Sequence, residues 1–130
     1  NKIVASGSLV YVGGAFTTIG GLPRNYIAAL DASTAAATSW DPNANGTVHA
    51  LSIVGSTAYA GGEFTTIGAQ SRSRLASIDT STAAIGTLSL GIDGYIYSLN
   101  GSASTLYTAG EFTNLRQYLM SIDLGTGNPN

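Results

Sequence analysis

Short runs of alternating apolar and polar residues follow one another along the chain. In Val48–Ile53 the apolar side chains occupy alternate positions, and Arg74–Asp79 shows the same two-residue period. Such runs predict β-strands, and we expect further strands at Thr57–Gly61, Ala36–Trp40 and Ile85–Leu90. No stretch of ten or more residues has the 3.6-residue period of a helix, so the pattern predicts an all-β protein with antiparallel strands.

The strand pattern repeats along the sequence. The segment YVGGAFTTIG at residues 11–20 returns as YAGGEFTTIG at 59–68 and as YTAGEFTNL at 107–115. A second block repeats as IAALD, LASID and LMSID at residues 27–31, 75–79 and 119–123. The period is 48 residues, except for an interval of 44 residues before the last copy of the second block. The chain therefore consists of repeats, which we number 1 to 3.

Four short strands in each 48-residue repeat, with a glycine pair after the second strand, are typical of a β-propeller blade. We assign blade 1 to residues 1–46, blade 2 to 47–94 and blade 3 to 95–130, and we expect blade 3 to lack its fourth strand. Gly7 and Gly55 each begin a two-residue turn that requires a positive φ at its first position.

Repeated residues outside the strand pattern are expected to be structural. Glycine pairs let neighbouring backbones approach near the propeller axis, and the phenylalanine that follows each pair is expected to pack between blades. An aspartate at the end of each third strand is expected to accept N–H groups from the Ser/Thr-rich turn after it. With the buried tryptophan, these predicted structural residues are Gly13, Gly14, Gly61, Gly62, Gly110, Phe16, Phe64, Phe112, Trp40, Asp31, Asp79 and Asp123.

The motif Tyr-Val-Gly-Gly-x-Phe-Thr-Thr-Ile-Gly-Gly, followed by Ile-Ala-Ala-Leu-Asp and Trp-Asp-Pro-Asn-Ala-Asn-Gly, resembles the delta-sixty-type β-propeller repeat of bacterial secreted and surface proteins. It is similar also to a fungal bud-site-selection surface family and, more distantly, to kelch repeats. The resemblance implies a propeller, an extracellular or cell-surface location, and a binding or scaffold role. Residues 88–93 depart from the motif, and repeat 2 therefore lacks the tryptophan that repeat 1 has at position 40.

The length of the chain limits how a propeller could close. At least about four blades are needed, which at 48 residues each exceeds the 130 residues here. Isolated repeats would leave apolar blade faces bare at both ends. Three arrangements stay open: further blades in a longer polypeptide, a ring of several copies, or an open stack.

Composition excludes several classes of function. A net charge of −2 with five basic residues argues against nucleic-acid binding, and no apolar run approaches the ~20 residues of a membrane span. Without cysteine there is no thiolate nucleophile or zinc–thiolate site. His49 is the only histidine, so we expect an exposed strand residue, no metal site and no cofactor.

The weak candidates for ligand binding are Arg24, Tyr26, Glu63, Arg72 and Glu111. A pair such as Glu63 with Arg72 is expected to be a rim ion pair, or else part of a ligand-binding rim. The seven acids are scattered, no Ser–His–Asp set or nucleophile elbow is present, and we expect no catalytic residues. The sequence thus favours a non-enzymatic binding, adhesion or scaffold segment, with a lectin using Tyr26 and the two arginines as the alternative.

Overall fold

The structure, a computed structural model, describes residues 2–130, and over that range the protein is all-β without helix. None of these residues forms a helix of the length and apolar character needed to cross a membrane. The strands are β1 (Lys2–Ser6), β2 (Leu9–Gly13), β3 (Thr18–Ile19), β4 (Leu22–Pro23), β5 (Ile27–Asp31), β6 (Val48–Val54), β7 (Thr57–Gly62), β8 (Thr66–Ile67), β9 (Gln70–Ser71), β10 (Leu75–Asp79), β11 (Ile96–Gly101), β12 (Thr105–Gly110) and β13 (Leu119–Asp123).

Each repeat forms one antiparallel three-stranded sheet. The strand orders are β1-β2-β5, β6-β7-β10 and β11-β12-β13, so the second strand of each repeat is always central. In repeats 1 and 2 a two-stranded ribbon, β3-β4 and β8-β9, follows the central strand. Gly7 (φ 60°) and Gly55 (φ 59°) begin the two-residue turns between the first two strands, as predicted.

The prediction of a regular fourth strand is wrong. Each repeat carries only one isolated bridge at that place: Leu30 with Ala37, Ile78 with Ile85, and Ile122 with Pro129. Repeat 3, which was expected to lack this element, therefore has as much of it as the others. Where the ladder stops, an arginine side chain binds the next carbonyl, as Arg24 does when it donates to Thr38 O at 2.7 Å.

The hydrophobic core lies between the sheets as two clusters. One cluster joins Tyr11, Ile27 and other apolar residues of repeat 1 to repeat 2, and the other joins repeat 2 to repeat 3. Phe64 and Phe112 are fully buried at these junctions. Phe16, predicted to pack in the same way, is only half-buried because it lies on the face of repeat 1 that no described sheet covers.

Trp40 fills the outer part of the junction between repeats 1 and 2. Its Nε1–H donates to Asp79 O at 2.9 Å, which fixes the indole across the junction. Its ring meets Tyr11 edge-on at 5.1 Å between centroids. The predicted burial of this side chain between neighbouring sheets is confirmed.

Glycine permits the close approach of the sheets. A Cβ built on Gly13 would lie 2.6 Å from Val48 Cγ1, and one on Gly61 would lie 2.5 Å from Ile96 Cγ2. Both glycines thus face the first strand of the following repeat, where a side chain would have no room. The second glycines have a different role, because a Cβ on Gly62 would meet Thr47 O, directly before the first strand of the same repeat.

The three repeated aspartates have the geometry expected of turn braces. Asp79 Oδ1 accepts the Ser81 N–H at 2.8 Å and the Thr82 N–H at 2.9 Å, and Asp31 and Asp123 accept their turn N–H groups in the same way. Hydrogen bonds from Ser81 and Thr82 lower the pKa of Asp79 to about 2, and those from Ser33 and Thr34 do the same for Asp31. The carboxylates of Asp31 and Asp79 therefore hold their turns in the ionised form.

The glycine contact yields a stability prediction. Replacing Gly61 by alanine should lower the free energy of unfolding by about 1–3 kcal/mol, because the added methyl group overpacks the junction against Ile96. Denaturant unfolding measures this cost. In an Ile96→Ala background the same change should cost less, since the atom it meets is gone. An equal cost in both backgrounds would contradict the contact as its cause.

Candidate functional site

Two β-bulges gather polar side chains at the starts of β6 and β11. The pairing of β6 with β7 skips His49, and the pairing of β11 with β12 skips Tyr97, 48 residues later. A bulge inserts an unpaired residue and re-aims its side chain. Both side chains are thereby turned toward the glutamate of their own repeat, which follows Gly62 in repeat 2 and Gly110 in repeat 3.

Each bulged residue contacts that glutamate. His49 Nε2 lies 2.7 Å from Glu63 Oε1. The Glu111 carboxylate lies close enough to the Tyr97 hydroxyl to raise its pKa through hydrogen bonding and charge. The two pairs are continuous, because the rings of His49 and Tyr97 lie 5.1 Å apart between centroids. We call His49, Glu63, Tyr97 and Glu111 the bulge cluster.

The structure corrects two predictions about these residues. Glu63 does not pair with Arg72: its carboxylate contacts His49, and the arginine–carboxylate ion pair among residues 2–130 is Arg24 with Asp41, at 3.8 Å. His49 is not an isolated exposed residue, since it is partly buried and hydrogen-bonded. The one sequence signal for the cluster is the alignment of repeat 2 with repeat 3. In that alignment His49 matches Tyr97, and each precedes the glutamate of its repeat by the same number of residues.

The electrostatics of the bulge cluster favour neutral phenol at Tyr97. Desolvation and the hydrogen bond to Glu111 raise the pKa of Tyr97, and the charge of Glu63 adds to the effect. An imidazole, a phenol and two carboxylates can donate and accept hydrogen bonds toward a polar partner. Within residues 2–130, no three His, Cys, Asp or Glu side chains are arranged to hold a metal ion.

The two candidate arginines bind backbone carbonyls. Arg24 donates to Thr38 O and Arg72 to Gly86 O, both at 2.7 Å. Arg116, at the same position of repeat 3, reaches Asn130 O at 3.3 Å. These arginines hold the segment after the third strand against the sheet, which is a structural role.

Tyr26 lies in a separate groove of about 390 Å³. Its walls carry the amides of Asn25, Asn43 and Asn45, and Asn25 Nδ2 donates to Asn43 Oδ1 at 2.8 Å. Tyr26 has a φ of 68°, and the equivalent residues Arg74 and Tyr118 have 69° and 65°. No glycine marks these strained positions, so the sequence did not reveal them.

The linkers before β6 and β11 share a conformation that their sequences conceal. Asn43 (φ 58°) and Gly91 (φ 59°) both adopt the left-handed region. Two residues later, the side chain of Asn45 or Asp93 accepts N–H groups of the following repeat, from Thr65 and Thr113 at 2.8 Å. The departure from the motif at residues 88–93 therefore changes side chains and keeps the backbone path.

The five candidate ligand-binding residues do not form one site. Glu63 and Glu111 belong to the bulge cluster, Tyr26 lines the asparagine-rich groove, and Arg24 and Arg72 hold carbonyls. No protein-family model and no curated protein matches the chain. The interpretation of the two polar regions therefore rests on their geometry.

The Tyr97–Glu111 contact can be tested by titration. In Glu111→Gln the pKa of Tyr97 should fall toward its ordinary value, because removing the negative carboxylate makes the tyrosinate less unfavourable. NMR with ¹³Cζ-labelled tyrosine measures the change. Glu63→Gln serves as the matched control and should lower the pKa less, since Glu63 acts on Tyr97 only through its charge. An unchanged pKa in Glu111→Gln would contradict the hydrogen bond.

Proposed function

We propose that the chain is a segment of an extracellular β-propeller with a non-enzymatic binding, adhesion or scaffold role. Its repeats would be the blades, and further repeats, in a longer chain or in other copies, would complete the ring. The stacked sheets, the glycines between them and the resemblance to delta-sixty-type and kelch-like repeats support this proposal.

The main observation behind the proposal is a set of exposed apolar residues on the outer face of repeat 3. Tyr107 is 52% exposed, whereas Tyr59 at the same position of repeat 2 is 8% exposed and packs against repeat 3. Leu119 is 66% exposed and its counterpart Leu75 is 1% exposed. Positions that bury against a following sheet in repeat 2 are thus bare in repeat 3, which favours a further sheet on that face.

The N-terminal end has the complementary property. Ile3 is 68% exposed, while Leu51, at the same position of repeat 2, is 1% exposed and packs against repeat 1. The two bare faces are the two halves of the contact that recurs inside the chain. A head-to-tail contact between copies, or between this segment and adjoining repeats, would bury both.

The engagement of the polar side chains supports a non-enzymatic role. Asp79 braces a turn, Arg24 and Arg72 bind carbonyls, and Asp93 accepts N–H groups of the next repeat. These groups are used to hold loops in place. The remaining polar surface, the bulge cluster, is suited to contact with a protein partner.

The assembly of the 130-residue chain tests the proposal. Light scattering should find association through the bare faces, as a discrete dimer of six repeats or as larger species. Leu119→Lys should weaken that association. Leu22→Lys is the matched control, because its counterpart Gln70 stays exposed in repeat 2, which has sheets on both sides. A stable monodisperse monomer with cooperative unfolding would overturn the proposal.

A lectin is the second candidate, and the groove at Tyr26 favours it. An aromatic ring beside the amides of Asn25 and Asn43 is a combination that can hold a sugar ring and its hydroxyl groups. On a glycan array, Tyr26→Ala should abolish any binding, whereas Tyr118→Ala, at the equivalent exposed position, should not. Binding that survives Tyr26→Ala, or no binding at all, would contradict a sugar site in this groove.

A further inference from the structure

The junction between repeats 2 and 3 contains an open groove where the preceding junction contains Trp40. The groove has a volume of about 470 Å³. Repeat 2 contributes Thr57, Tyr59, Ser77 and Leu88 to its walls, and the turn 124–128 of repeat 3 closes the other side. We call this feature the Leu88 groove.

Leu88 occupies the position of Trp40, 48 residues later. The other parts of the tryptophan environment have counterparts here. Tyr59 lines the groove in place of Tyr11. Asp123, the repeat counterpart of Asp79 whose carbonyl accepts the indole N–H, directly precedes the wall residue Leu124. A leucine cannot fill the volume of an indole. The replacement therefore leaves both the space and the acceptor available.

Other substitutions at this junction open and polarise the groove. Leu9 and Ala29 of repeat 1 correspond to Thr57 and Ser77, which add hydroxyl groups to the wall. Ala83 corresponds to Gly127, where a Cβ would stand 3.7 Å from Leu88 Cδ1. Each of these changes enlarges the groove or adds a hydrogen-bonding group.

Hydrogen bonds within the chain hold the walls of the groove. Tyr59 is buried, and its hydroxyl shares a hydrogen bond with Thr57 of the same strand. The Asp123 carbonyl accepts the Gly127 N–H at 2.7 Å, as the Asp79 carbonyl accepts the Ala83 N–H at 3.0 Å while it also binds Trp40. A second lone pair of the Asp123 carbonyl can therefore take a further donor.

We propose that the Leu88 groove binds a planar aromatic ligand of the indole type, a fused ring that carries one N–H donor. The ring would lie against Tyr59 and Leu88, and its N–H would donate to Asp123 O, as Trp40 donates to Asp79 O in the preceding junction. The proposal needs only the contact between repeats 2 and 3. It goes beyond the scaffold role and would stand if the ring-closure proposal failed.

Titration of the ¹⁵N-labelled chain with indole tests the site. Saturable NMR shifts should be confined to the groove residues, with an affinity in about the millimolar range expected for so small a ligand. Leu88→Trp should weaken binding by at least about ten-fold, because its own indole occupies the groove. Leu22→Trp, which adds the same side chain at an exposed position of β4, should leave binding unchanged.

A crystal structure of Leu88→Trp provides a second measurement that needs no added ligand. The new indole should lie in the groove with its Nε1 in hydrogen-bond distance of Asp123 O. Should Leu88→Trp fail to fold, Gly127→Ala, which introduces the alanine that repeat 2 carries at position 83, should narrow the groove and weaken indole binding. Three results would overturn the proposal. The NMR shifts caused by indole could be spread over the surface, or the crystal structure of Leu88→Trp could show the indole ring turned to solvent. The third result is a set of NMR shifts in the groove residues with a methyl glycoside and none with indole.

Discussion

The close approach of neighbouring sheets at Gly13 and Gly61 is the constraint on which the rest of the structure depends. Because these positions have no side chain, Val48 and Ile96 of the following first strand can lie directly against the central strand. Trp40 and Phe64 pack into the same buried cluster between repeats 1 and 2. A layered β-structure whose sheets meet at such spacing buries its core between repeats, and each repeat depends on its neighbours.

This dependence explains where the polar chemistry lies. The tight contact at the first strands begins with a bulge, since Gly62 and Gly110 pass close to the carbonyls of Thr47 and Tyr95. The bulge turns His49 out of the ladder toward its glutamate. Tyr97 and Glu111 repeat this arrangement one sheet further on. The bulge cluster thus follows from the packing geometry that repeats 2 and 3 share.

The sequence was sufficient for the first three strands of each repeat, the turns at Gly7 and Gly55, and the aspartate braces, because each depends on residues close in the chain. It failed for the fourth strand, where only one isolated bridge forms in each repeat and a distant arginine binds the next carbonyl, a contact that spacing in the sequence does not show. The Glu63–Arg72 pairing failed for a related reason. Spacing in the sequence could not show that a bulge brings His49 closer to that carboxylate.

Internal repetition also supplies a reference that a single domain lacks. The junction with Trp40 shows which side chain the fold accepts there, so the junction with Leu88 can be compared with it position by position. The backbone path is retained through residues 88–93, as Gly91 and Asp93 take over the φ angle and the acceptor of Asn43 and Asn45. The linker keeps its backbone conformation although leucine stands in place of tryptophan. The groove therefore results from a local change of side chains on the same backbone path. Repeats that share a backbone can therefore diverge in what their junctions bind without loss of the stacking that holds them together.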